Sequence, residues 1–303
     1  MQSTIYRIFQ RSTILLIFFL INTMITLAQG DLLVTPRRIV FEGNKQTQEI
    51  TLANTGSDTA KYNISFVQYR MTESGSFEEI TEPDSGQYFA DKYLRIFPRN
   101  VVLGPNESQV IRMQFRKMPN MQEAEYRSHL YFRAVPDEKP LGEEAVDTAS
   151  IGIRLIPIFG ITIPVIARTG NLNCTVELSD LLLEQQIENG ENSGDAQSIK
   201  HSGAKHDPSL HQEPRLNITF NRTGDKSVFG DVLVKWVSPE GNEVEVGVVR
   251  GIAVYTPNTT RKFVMKLRQL PEVDYSKGNL IITYQAPSDL NKEIYATAEL
   301  SLK

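Results

Sequence analysis

One cysteine, Cys174, stands in 303 residues, so no disulfide can form within the chain and neither half is held by one. Histidine is nearly as scarce. His129 sits in a segment that reads as strand, while His201, His206 and His211 recur at five-residue intervals in a polar stretch. Metal-ligating histidines need an ordered surround to orient them, and nothing near these three supplies it. No metal site and no cofactor is expected. The chain also lacks a Gly-x-Ser-x-Gly elbow, a His-Glu-x-x-His helix, a phosphate loop and a dinucleotide fingerprint, and its Asp and Glu residues are scattered, so the expectation is a non-enzyme. The 32 basic residues are outnumbered by 36 acidic ones, for a formal charge of −4, which excludes the basic field that nucleic-acid binding demands. Helical periodicity is absent throughout. After the first 28 residues, so are long apolar runs.

Those 28 residues carry Arg7 and Arg11, then Ile14 to Ile21 without a polar side chain, then Ala28 two positions after Thr26. This is the layout of a cleavable secretory signal, shorter than a membrane span requires. Cleavage there removes two of the basic residues and none of the acidic ones, leaving −6. The absence of a cysteine beside Ala28 argues against lipid attachment.

The remainder alternates polar and apolar residues in short segments divided by turn chemistry. Strands are predicted at 32–41, 48–53, 61–70, 93–97, 101–103, 109–115 and 128–135, with Glu42-Gly-Asn44, Asn54-Thr-Gly-Ser-Asp58 and Gly104-Pro-Asn106 as turns. A second series follows at 171–183, 215–221, 228–237, 243–255, 260–267, 279–284 and 294–302. The fold expected is all-β, two immunoglobulin-like β-sandwich domains in tandem. The boundaries read as a signal peptide over 1–28, a first domain over 29–166 and a second over 167–303. Residues 184–213 hold almost no large apolar side chain, so a disordered insertion is predicted inside the second domain.

One segment stands apart. From Ala149 to Ile166 the odd positions Ile151, Ile153, Leu155, Phe159, Ile161, Ile163 and Val165 are large and apolar, the mark of one strand face. Pro157 and Pro164 cannot donate to a ladder, which places this strand at a sheet edge. An apolar edge recruits other chains, whether clients or further copies of itself.

Four further segments carry a resemblance. Arg38-Ile-Val-Phe-Glu-Gly43, Ile50-Thr-Leu-Ala-Asn54, Phe97-Pro-Arg-Asn-Val-Val-Leu-Gly-Pro-Asn-Glu-Ser-Gln109 and Tyr126-Arg-Ser-His-Leu-Tyr-Phe-Arg-Ala-Val-Pro136 resemble, in order and spacing, the amino-terminal domain of the PapD-like periplasmic pilus chaperones. The resemblance spans about 31–166 and implies a periplasmic chaperone that lends an edge strand to pilin or fimbrial subunits and passes them to an outer-membrane usher. It makes Ile151, Ile153, Leu155 and Phe159 the donor side chains and 137–148 the loop leading to them. It makes Arg38 the anchor for the subunit's terminal carboxylate. The lysine that the family pairs with this arginine has no counterpart in Leu155-Ile-Pro-Ile-Phe-Gly160; Arg154 is the nearest base, and alternation puts it on the opposite face from the donor residues. The competing expectation is a secreted structural or adhesive protein in which 149–166 merely closes the first sandwich. An edge paired on one side only separates the two.

Overall fold

The computed structural model describes residues 32–136, 158–187, 212–287 and 293–302. The signal segment, the donor positions Ile151, Ile153 and Leu155, the base Arg154, and residues 188–211 lie outside the described residues.

The first sandwich is built from β1 (Leu32–Thr35), β2 (Ile39–Phe41), β3 (Thr47–Asn54), β4 (Ala60–Val67), β5 (Tyr69–Met71), β6 (Phe77–Glu79), β7 (Leu94–Phe97), β8 (Asn100–Leu103), β9 (Ser108–Phe115), β10 (Glu125–Val135) and β11 (Gly160–Arg168). One sheet runs β1-β3-β9-β7 and the other β2-β11-β10-β4-β8, while β5 and β6 pair only with each other. Alternation decides which side chains meet between the sheets. Ile50, Leu52, Ile111 and Met113 of the first face Ile64, Leu130, Phe132, Ile163 and Val165 of the second, all buried in one cluster. The turn expected at 54–58 is held by Asn54, whose Nδ2 donates to Asp58 O at 2.7 Å while its Oδ1 accepts from Gly56 N at 3.0 Å. Asx turns of this kind let the side chain replace a missing backbone partner.

The second sandwich comprises β12 (Cys174–Ile187), β13 (Gln212–Gly224), β14 (Val228–Val237), β15 (Glu243–Val254), β16 (Thr260–Lys266), β17 (Gly278–Gln285) and β18 (Ile294–Leu302). Its sheets are β12-β13-β16 and β15-β14-β17-β18. Leu216, Ile218 and Phe220 pack on Val232, Val234, Trp236, Leu280, Ile282 and Tyr284. Two polar ends inside this core find partners, as burial requires. Trp236 Nε1 donates to Lys277 O at 2.9 Å, and the Tyr284 hydroxyl donates to Ile252 O at 2.8 Å.

Three expectations change. β11 runs to Arg168, two residues past the boundary read at 166, so Ala167 and Arg168 belong to the first sandwich and are paired with Tyr126 and Glu125. Nor is β11 an edge along its whole length: β2 pairs parallel to it from Ile39↔Val165 to Phe41↔Ala167. A three-residue strand is too short to announce such pairing by alternation. The third change concerns 184–213. Residues 184–187 and 212–213 are strand, with Glu184↔Arg215 and Gln186↔Glu213 in register. Ladder hydrogen bonds join backbones, so a polar hairpin can extend where no apolar side chain marks it.

Candidate functional site

Two features adjoin: a half-open strand and a cleft lined with arginine. From Gly160 to Pro164, β11 is paired with β10, Arg133↔Gly160 through His129↔Pro164. One more hydrogen bond, Ala134 N to Phe159 O at 3.0 Å, prolongs that pairing. On the other side β2 reaches only Val165. Among the described residues, nothing pairs with the second edge of 160–164. Down the inward-facing row the cover thins: Val165 and Ile163 are buried, Ile161 is 37% exposed and Phe159 61%. Ile158 beside them is also exposed. On the outer face the Tyr131 ring lies where a side chain at Gly160 would be, while Thr162 is exposed.

The cleft separates the sandwiches. Arg38, just before β2, is half-buried; its guanidinium lies 4.5 Å from the centre of the Phe229 ring and donates through Nη1 to the Tyr255 hydroxyl at 3.1 Å. Arg127, on β10, is buried with its guanidinium 4.4 Å from the centre of the Tyr255 ring. Its Nη2 donates to Tyr69 O and Thr256 O, both at 3.3 Å, while Nε and Nη1 have no partner among the described residues. Burial brings Arg127 down to about 10, against a smaller upward pull from Tyr255 and Glu125; Arg38 adds to the lowering, as a neighbouring cation must. Among the described residues no carboxylate forms an ion pair with either guanidinium. The two guanidinium groups lie against one aromatic ring, and both are of the donor type that pairs with carboxylates.

Beside them lies a carboxylate that is already engaged. Glu125, buried at the head of β10, accepts at Oε2 from Arg168 Nε and Ser227 N, both at 3.0 Å, and at Oε1 from Thr256 Oγ1 at 3.2 Å and from the Ser227 hydroxyl. Arg168 also reaches Glu42 at 3.2 Å. Burial acts to lower the Arg168 guanidinium, but Glu125 and Glu42 outweigh it and raise it. Ser227 and Thr256 belong to the second sandwich, so the hydrogen bonds they make to Glu125, and the one Arg168 makes to Ser227 O, join the domains around this ion pair. Met71, Ile166, Ala253 and Tyr255 form an apolar cluster in the same junction.

Of the residues expected to act, Arg38 is in the cleft and Phe159 is at the exposed end of β11. In sequence, Arg127 is like Arg38 a basic residue near a strand start, and so a candidate to capture a carboxylate; Tyr255, Phe229 and Glu125 were not singled out. Strand alternation gave no signal for them, because it cannot tell which outer faces meet across a domain junction.

No family model and no curated protein matches the chain. Among solved structures, the CsuC chaperone bound to the CsuE tip subunit from Acinetobacter baumannii aligns at 12% identity and a TM-score of 0.41, covering 90% of this chain and 99% of that one. The CupB2 chaperone of Pseudomonas aeruginosa gives 12% and 0.40 over 89% and 100%. The YadV chaperone gives 12% and 0.40 over 90% and 100%. The chain is similar to these solved chaperones along about nine-tenths of its length, at low identity.

Proposed function

We propose that this protein is a non-catalytic periplasmic chaperone for pilus assembly, which caps pilin-like subunits by lending them the open edge of β11 and releases them to an outer-membrane usher. The observation that carries this reading is the one-sided pairing of Gly160–Pro164, with Phe159 and Ile161 exposed beside it. An incomplete subunit exposes an apolar groove, and a strand that keeps free N–H and C=O groups on one side can complete it. Alternate side chains then fill the groove's pockets. Ile151, Ile153 and Leu155 share the odd sequence phase of Phe159 and Ile161, and act as donor residues in this reading.

The subunit's terminal carboxylate binds in the cleft at Arg38. Arg127, from β10 and against the same Tyr255 ring, is a second cation beside Arg38; its unpartnered nitrogens are buried, so it acts on the carboxylate through its charge. The structural or adhesive alternative draws on β2, which does close 165–167.

Co-purification from the native periplasm decides between them. Tagged protein is expected to bring down a small β-rich subunit in equal amount, identified by mass spectrometry, and Phe159→Asp is expected to lose it while remaining folded. A charged side chain in a dry pocket costs on the order of a few kcal/mol. A partnerless monomer in both cases refutes the chaperone reading.

A further inference from the structure

The β5–β6 hairpin belongs to neither sheet of the first sandwich. Its strands have three residues each, β6 is exposed throughout, and hydroxyls of Thr72, Ser74 and Ser76 bond one another across the turn. One side covers the outer face of β10. Tyr69 and Phe77 stand edge-on to the His129 ring at 5.0 and 5.4 Å, and Tyr69 O accepts from Arg127. The other side reaches the second sandwich. Lys262 N donates to Glu73 O at 2.7 Å, Asn258 Nδ2 donates to Met71 O at 2.7 Å, and Gly75, at φ +83°, lies against the Arg261 guanidinium. Because β16 ends its sheet, the Lys262 N–H is an edge donor, and the hairpin satisfies it.

Opposed contributions meet here. Holding the hairpin down are hydrogen bonds from Asn258, Lys262, Arg127 and Gln87, the ion pair of Arg70 with Asp84 at 3.0 Å, the exposed Glu73 and Lys262 pair at 3.7 Å, and the buried Met71 side chain. Beneath it Arg127 Nε, Arg127 Nη1 and His129 Nδ1 are buried without partners among the described residues, and water would satisfy all three if the hairpin rose. A short, largely polar contact above unsatisfied polar atoms is the part of a fold that opens first.

We propose that residues 69–79 form a strap with two positions. Seated, it ties the first sandwich to the edge of β16 and fixes the angle between the domains. Lifted, it leaves the domains joined by Glu125 with Ser227 and Thr256 and by Arg38 with Tyr255, loosens the angle between them, and admits water to Arg127 and His129. This holds whether or not the chain binds pilins.

Spin labels at Ser57→Cys and Glu240→Cys, in a Cys174→Ser background, report the distance between domains by pulsed electron resonance. Gly75→Leu drives a side chain into Arg261, whereas Gly43→Leu sits at a similar φ of +63° with nothing within 4 Å and isolates the backbone cost. Asn258→Ala removes one tie and leaves the hairpin's own residues intact. The distribution is expected to be narrow in the parent and in Gly43→Leu, and about twice as broad in Gly75→Leu and Asn258→Ala, as for domains without a firm interface. Parent-like distributions in both strap variants overturn the proposal. If Gly75→Leu fails to fold, Asn258→Ala decides alone, broadening in favour and an unchanged distribution against.

Discussion

His129 shows what a single side chain costs when a fold puts it in the wrong solvent. Burial first, and the neighbouring Arg127 second, bring its imidazole down to about 3. The unfolded chain, with an ordinary value of about 6.5, binds a proton that the folded chain refuses, so folded stability declines as pH falls from about 6.5 towards 3. The loss is on the order of a few kcal/mol at the acid end. His129→Phe keeps a ring against Tyr69 and Phe77 and removes the titration. Urea unfolding at pH 7 and pH 4 should show a smaller acid penalty for the variant than for the parent. Equal penalties would mean that His129 is already hydrated in the folded protein. The sequence reading placed His129 on a strand but could not place a lid over it, since Phe77-Glu-Glu79 is too short and too polar to read as strand. Arg127 hides for the same reason: its burial comes from Tyr69 and Tyr255, which are 58 and 128 positions away along the chain.

At the level of one element, β11 was legible in its phase and misjudged in its pairing. The odd positions do face inward, as Ile163 and Val165 show. Alternation reports which face is buried but not which neighbour fills the ladder, so the parallel contact of β2 had no signature. The division it creates is testable. Ile163→Asp places a carboxylate in the core and should cost several kcal/mol or prevent folding, on the order of other buried unpaired charges. Ile161→Asp, two residues on, should change the unfolding free energy by no more than about 1 kcal/mol. Denaturant titration of the two variants checks the contrast; equal damage would show that 161 is core and that the open edge begins further towards the amino terminus.

Across the whole molecule, the Glu125 and Arg168 pair is the polar counterpart of the Met71, Ile166 and Tyr255 cluster. Removing the carboxylate strands a buried guanidinium, which in other proteins costs about 3–5 kcal/mol. Glu125→Ala should therefore lower stability by that order. Glu42→Ala, which takes away the exposed partner of the same arginine, should cost no more than about 1 kcal/mol. Calorimetric or denaturant unfolding of both variants provides the comparison, and similar losses would place the main support of Arg168 at Glu42. None of this junction could be inferred from strand patterns. Glu125 and Ser227 are 102 positions apart and each reads locally as an ordinary strand-start residue.

The Tyr131 ring over Gly160 has a consequence for any chain that comes to lie along β11. A strand presents alternate residues to opposite sides, and an unshielded one could be recognised in either of two orientations, with its partner above or below. The tyrosine blocks one of them where the open segment begins. At Gly160 an incoming chain meets apolar side chains on the side of Phe159 and Ile161 and an aromatic ring on the other, so the two faces of this edge are not equivalent.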